Sequence, residues 1–254
     1  VSGIKSEKSV YLQDMIKAFL KRLIKKLPIA FTRNQQYDRQ TVQVIRRVCR
    51  EDSNCVDVGA HKGEVLDVML RYASAGTHYA FEPIPALAAA LREKYASRPG
   101  CRIYDLALSN SKGKASFNYV VSNPSYSGLV KRRYDRKHEE DRRITVTTDL
   151  LDNVLPQDAR VDLIKIDVEG GELLVLEGAK ATIRRCRPVI IFEHGLGASD
   201  CYGATPEQVY ELLTDCGLQV STMNRWLKGQ PGLTAEAFRH LYDQQVDYYF
   251  IAYP

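Results

Sequence analysis

The chain lacks any apolar run approaching the roughly 20 residues that a bilayer-spanning helix needs, so no such helix is expected. Its N-terminal apolar residues are interrupted by lysines, which is not the pattern of a secretory signal. The one Asn-x-Ser that reads as a glycan acceptor is Asn123-Pro124-Ser125, and proline disqualifies it. Cysteine is sparse and poorly spaced for metal: Cys49, Cys55, Cys101, Cys186, Cys201 and Cys216 include no C-x-x-C pair and no zinc-like spacing. Cys55 and Cys101 fall at strand starts and read as small buried hydrophobes. A reducing cytoplasm is the expected home. Repeats and low-complexity tracts are absent, and 254 residues with 44% apolar content suit one domain with a core on both faces of a sheet.

Also missing is the glycine-rich turn of dinucleotide-binding proteins. That turn would put glycines at positions 57, 59 and 62, and the chain has Asp57, Gly59 and Lys62. Cys55-Val56-Asp57-Val58-Gly59-Ala60-His61-Lys62-Gly63 nevertheless reads as a buried strand turning into a helix. Glycines there let a ligand approach the backbone closely. A carboxylate in place of the first glycine suits a ligand with a positive charge rather than a pyrophosphate. S-adenosylmethionine, with its amino group and sulfonium, is such a ligand. The bland alternative is a structural strand-to-helix turn.

Two further strand ends carry acids. Thr77-His78-Tyr79-Ala80-Phe81 runs into Glu82-Pro83, where an acid past the second strand is placed for a ribose diol. Pro83 halts ladder pairing and suits a helix over 84–96. Val161 to Val168 reads as a strand buried on both faces, ending in Asp167, Glu169 and the Gly170-Gly171 pair. In an open parallel sheet, ligands sit beyond the carboxyl ends of strands, so Asp167 and Glu169 fall where chemistry is expected. Glu172 reads as a helix cap.

These segments together resemble the FkbM family of S-adenosylmethionine-dependent methyltransferases. The matching pieces are DVGAHKG at 57–63, FEPIP at 81–85, ALSNSKG at 107–113, LIKIDVEGGELLVLEGA at 163–179 and RPVIIFEH at 187–194. They cover residues 37–195 well and the rest more loosely. The family often has Asn where this chain has His61. The resemblance implies a Rossmann-like fold with an antiparallel last strand, and O-methylation of sugar or secondary-metabolite hydroxyls. It assigns Asp57, Gly59, Ala60, His61 and Gly63 to the methionine end of the donor. Glu82 and Pro83 go to the ribose, Asp105, Leu106 and Ala107 to the adenine edge, and Asp167 beneath the sulfonium. Lys165 is expected to pair with a carboxylate inside the sheet.

The alternation of strand and helix patterns agrees: an α/β, Rossmann-like, doubly wound sheet of about seven strands, mostly parallel, with helices on both faces. Strands are expected at 54–58, 77–82, 101–107, 161–167, 188–193, 217–222 and 246–253. Helices are expected at 38–50, 63–73, 84–96, 171–184, 205–216 and 234–243. The pattern divides the chain into a basic helical extension, 1–36, and a methyltransferase domain, 37–254. An insertion at about 114–147 holds two extra strands and a charged run, and is expected on the acceptor side. Within it Ser125, Tyr126 and Ser127 are candidates for a hydroxylated acceptor, and Lys131, Arg132 and Arg133 for an anionic part of it. Glu169 joins them as an acceptor-side residue. The competing reading is that the charged run is a solvated face.

An alcohol acceptor must lose a proton, which calls for a base. His194 is the first candidate, because an unperturbed imidazole titrates near 6.5. Asp167 and Glu193 are its rivals. Asp167, Glu169, Glu193 and His194 end neighbouring strands, and a divalent ion such as magnesium or manganese would suit the carboxylates. Carboxylates that merely cluster are commoner than metal sites, so no metal is expected.

Charge is uneven: residues 1–50 hold twelve Lys or Arg against three acids, and the remainder 24 against 28. Ile16, Phe19, Leu20, Leu23, Ile24 and Leu27 mark one face of a basic helix. Such a helix fits a packed lid, a homodimer contact, or an anionic membrane surface at the inner face of the membrane. Nucleic acid is not expected, since no stacking platform accompanies the basic residues. The expected partner is a small-molecule or glycan acceptor. Two rival functions remain: a scaffold that keeps the fold without the donor pocket, and an NAD(P)-dependent oxidoreductase, which would need the missing phosphate turn.

Overall fold

The computed structural model describes residues 32–134 and 139–254, and the basic helix expected at 16–27 lies outside them. Two compact units divide at Arg39/Gln40. Of the first, only residues 32–39 are described, the opening of helix α1 (Arg33–Val48). In the α1 residues of the second unit, Val44 and Ile45 are fully buried, whereas Val42 and Val48 are half-buried.

Seven strands form one sheet: β1 (Cys55–Val58), β2 (His78–Phe81), β3 (Cys101–Tyr104), β7 (Leu163–Ile166), β8 (Val189–Glu193), β9 (Gln219–Thr222) and β10 (Tyr249–Tyr253). Their order is β3-β2-β1-β7-β8-β10-β9. All pairings from β3 to β8 are parallel, and β10 runs antiparallel to both neighbours, as expected. β1, β2 and β7 are buried along their whole length because helices cover both faces, which is why these strands read as near-continuous apolar runs. The largest core cluster joins Val56, Phe81, Ile164, Ile190, Phe192 and Phe250 across the sheet.

A second sheet of three strands occupies the interruption in the alternation. It comprises β4 (Ala107–Leu108), β5 (Gly113–Val120) and β6 (Asp141–Asp149) in the order β4-β6-β5. The third strand of the main sheet therefore stops at Tyr104, not at 107, and Ala107 belongs to the small sheet. Ala107 packs there with Ile84, Phe117 and Val146 in a separate small core. Between β1 and β7 lie α2 (Glu64–Tyr72), α3 (Pro85–Lys94) and α4 (Leu151–Val154), and the helix expected at 171–184 is two, α5 (Glu172–Glu177) and α6 (Lys180–Cys186). They part at Gly178, where any Cβ would overlap the Ser109 carbonyl oxygen. Among the described residues, no helix is long and apolar enough to cross a membrane.

Candidate active site

The site is built by register. Asp57 on β1 lies opposite Lys165 on β7, Lys165 opposite Ile191 on β8, and Glu193 opposite Tyr249 on β10. Paired residues, and residues two apart on one strand, share a sheet face. Asp57, Lys165, Asp167, Glu193 and Tyr249 therefore gather on one face at the carboxyl ends of the parallel strands.

Asp57 is 1% exposed, and among the described residues neither of its carboxylate oxygens has a well-formed hydrogen bond, although the Leu66 amide faces it. Burial, opposed by the Lys165 ammonium, pushes its pKa up to about 6. Beyond it the backbone turns sharply: the Gly59 and Ala60 amides both donate to the Phe81 carbonyl at 3.0 Å. Gly59 sits at φ +77, and a Cβ there would overlap the Asp167 carbonyl oxygen. The bare glycine thus makes room for the neighbouring strand's backbone. A Cβ on Gly63 would likewise overlap the Tyr95 hydroxyl. His61 also has positive φ, 48°, a conformation that Asn and His accept more readily than most residues. The departure from Asn at this position is therefore compatible with the turn.

Glu82 is buried, and both its oxygens accept backbone amides, from His61 at 2.8 Å and Ile84 at 2.9 Å. These bonds tie the turn after β1 to the end of β2. Burial still outweighs them and lifts the Glu82 pKa to about 7. Pro83 precedes helix α3 (Pro85–Lys94). Asp105 is exposed beside Arg92 at 4.0 Å, and Leu106 packs against the main core.

Asp167 accepts from the Tyr249 hydroxyl at 2.5 Å and pairs with the Lys165 ammonium at 3.0 Å, both on Oδ2. Burial opposes its ionisation, but Lys165 and Tyr249 outweigh that and hold its pKa below the ordinary value. Glu193 beside it moves the other way: burial, then the Asp167 charge, raise its pKa well above the ordinary value. Tyr249, on the last strand, carries no local sequence signal and was not anticipated.

Carboxylate oxygens of Asp167, Glu169 and Glu193 lie within 4.8 Å of one another. His194 does not join them. It follows Glu193, so alternation turns it to the other face, where its ring stacks on Tyr242 at 4.7 Å and Phe238 at 6.0 Å. Both ring nitrogens are buried without partners, and burial depresses its pKa to about 4. The structure separates the first base candidate from its two rivals.

The acceptor-side residues meet mixed placements. Tyr126 stacks on Tyr134 at 6.2 Å, with the Arg132 guanidinium over its ring at 5.0 Å. Ser125 is exposed, while the buried Ser127 hydroxyl accepts the Val120 amide and is committed to β5. The three basic residues are engaged within the chain: Lys131 with Asp141 at 2.6 Å, Arg132 with Glu169, and Arg133 with Asp200. Glu169 itself sits at φ +58. Glu172 accepts the Val168 and Gly170 amides at 3.0 and 3.2 Å, so it ties down the loop before α5 and does not cap that helix as expected.

Residues 57–220 match the Methyltransferase FkbM domain. Among curated proteins, the chain is similar to 2-O-methyltransferase NoeI of Sinorhizobium fredii (strain NBRC 101917 / NGR234), 26% identical over 157 residues. That match spans 57% of this chain and 65% of the relative, less than two thirds of its length. Among solved structures, the fold is similar to that of methyltransferase FkbM from Methylobacillus flagellatus KT. The TM-score is 0.50 and the identity 16%, over 80% of this chain and 44% of that one. Strand order, the acids at the strand ends and the matched domain agree: the chain belongs to the FkbM methyltransferase family.

Proposed function

We propose that the protein is an S-adenosylmethionine-dependent O-methyltransferase acting on a hydroxyl of a sugar, glycan or secondary metabolite. The observation that carries this reading is the Asp57 carboxylate, fully buried and, among the described residues, without a well-formed hydrogen bond to either oxygen. An uncompensated buried carboxylate is costly, and a cationic ligand offsets that cost. The donor's amino group fits Asp57, and its ribose hydroxyls fit the lone pairs that Glu82 keeps beside its two backbone bonds. Asp105, Leu106 and Ala107 are the segment for the adenine edge. Oxygen as the acceptor atom is supported by the name of the relative, a 2-O-methyltransferase.

When bound, the donor supplies an electrophilic methyl group on a sulfonium whose leaving group is a neutral thioether. The chain's own contribution is orientation and proton transfer. Asp167, kept ionised by Lys165 and Tyr249, accepts the acceptor's hydroxyl proton at its carboxylate. Glu193 beside it, its pKa raised by burial and by the Asp167 charge, is the protonated neighbour of this base. Positioned bases of this kind contribute about 10²–10⁴-fold. Tyr126 and the Arg132–Glu169 pair form the acceptor-side wall.

Calorimetric titration with S-adenosylmethionine, with NAD as control, tests the reading. Binding in the micromolar range, about −8 kcal/mol, is expected for the donor and none for NAD. Donor that fails to bind would overturn the proposal. Radiolabelled donor then screens hydroxylated acceptors, and label recovered on nitrogen or carbon would overturn the choice of oxygen.

A further inference from the structure

Away from the carboxyl ends of the strands, the structure brings two cysteines together that the spacing did not pair. Cys49 follows helix α1, and Cys55 opens β1. Their Sγ atoms are 3.7 Å apart, in thiol–thiol contact. Cys186 and Cys201 instead donate to the backbone carbonyls of Ala159 and Gly197.

We propose that Cys49 and Cys55 are a thiol–disulfide exchange site whose reaction partner is a small disulfide such as oxidised glutathione. Three observations support it. Cys55 is held rigidly, since β1 pairs on both sides, with His78 and Leu163 opposite this residue. Cys49 is half-buried and stands beyond the last turn of α1, in a segment closed by the Arg50–Ser53 turn. Bond formation at about 2.05 Å needs the sulfurs to close by roughly 1.7 Å from their contact distance. Exposure divides the roles: Cys49 is half-buried and open to a small disulfide, whereas Cys55 is fully buried in β1. Cys49 is therefore the attacking sulfur and Cys55 the resolving one, and the contact lowers the pKa of Cys49 in the same sense.

The step balances. The Cys49 thiolate attacks one sulfur of the small disulfide, giving a mixed disulfide and releasing one thiolate. With Cys49 capped, its hydrogen bond and its charge no longer hold the proton on Cys55, and burial is the main opposition left. Cys55 deprotonates and attacks the Cys49 sulfur, and the second small thiolate leaves. The protein is oxidised by two electrons, and the small disulfide is reduced to two thiols.

The test incubates the purified, folded chain in glutathione redox buffers, alkylates the remaining thiols and maps peptides by mass spectrometry. Trypsin cuts after Arg47, Arg50 and Lys62, so the bond joins the peptide 48–50 to the peptide 51–62. Two of six thiols should be lost to alkylation, with that linked pair recovered and thermal unfolding still cooperative. Cys55→Ser should stop at a glutathione adduct on Cys49, and Cys49→Ser should give neither adduct nor link. Recovery of all six thiols from the folded wild type would overturn the proposal. So would a Cys49→Ser variant that is glutathionylated at Cys55 as readily as the wild type is oxidised.

Discussion

Replacing Asp57 by Asn should strengthen the fold while weakening donor binding, and the opposed signs make the substitution diagnostic. Asp57 carries no well-formed hydrogen bond among the described residues, and burial raises its pKa from the ordinary 3.8 to about 6. The folded state therefore holds this proton more tightly than the unfolded state does. Stability from the protonated acid is fully present below 3.8 and is lost as pH rises through about 6. At about 1.4 kcal/mol per pKa unit, the ionised carboxylate costs the ligand-free protein about 3 kcal/mol at pH 7.5. Asn is nearly isosteric and uncharged, so Asp57→Asn should recover up to that amount, or about 6–12 °C in Tm. The gain should vanish near pH 4. Donor affinity should move the other way, by about 2–5 kcal/mol for losing one partner of a buried charged pair. Denaturant unfolding of both proteins at pH 4 and 7.5, with calorimetry at pH 7.5, measures both quantities. A stability difference from wild type that is the same at both pH values, or a variant that binds donor as tightly as wild type, would refute the reasoning.

Other substitutions separate the remaining roles. His194→Phe should keep the stacking on Tyr242 and Phe238 and retain methyl transfer within tenfold; a loss of 10³ or more would return His194 to the chemistry. The same variant should resist acid better. His194 has a folded pKa of about 4 against the ordinary 6.5, so wild type loses about 3 kcal/mol as pH falls between those values, and denaturant melts at pH 7 and 4 read the difference. Asp167→Asn should lower kcat by about 10²–10⁴-fold, measured by initial rates with an identified acceptor, and a change confined to KM would remove it as base. Gly59→Ala should destabilise by about 2–5 kcal/mol, since it adds overlap with the Asp167 carbonyl to a left-handed backbone; an unchanged urea midpoint would show that the two strands do not press together there.

Much of this architecture is legible in the residues because strand ends in parallel sheets carry conspicuous signals. Acids and glycines that interrupt apolar runs marked Asp57, Glu82 and Asp167, and these fall at the carboxyl ends of β1, β2 and β7. What misled the reading of His194 was a single residue of register. Glu193 and His194 are adjacent in sequence but on opposite sheet faces, and composition carries no information about which side is which. Tyr249 lay beyond reach for a different reason: its partner Asp167 is 82 residues away, and the pairing arises from β10 lying beside β8. The charged run at 131–133 looked unengaged for the same cause, since Asp141, Glu169 and Asp200 reach it only through the fold. The cysteine contact joins a helix end to a strand start across a turn, a spacing that no metal or redox motif describes.

The site's division of labour rests on one buried cation. Lys165 lies opposite Asp57 in the sheet, yet its ammonium bonds Asp167, leaving Asp57 with its charge only partly balanced. Had it bonded Asp57, the attraction for a cationic ligand would be cancelled, and Asp167 would lose the charge that keeps it ionised. Lys165→Met removes that cation while keeping the length of the side chain. Asp57 and Asp167 should then both bind protons more tightly, because Lys165 lowers the pKa of each. Donor affinity measured against pH should therefore rise with a midpoint above the wild-type value of about 6. The fold itself should weaken by about 3–5 kcal/mol, the usual consequence of breaking a buried pair. An affinity profile with the wild-type midpoint would mean that Lys165 does not set the charge of Asp57, and that the two carboxylates draw their separate roles from burial alone.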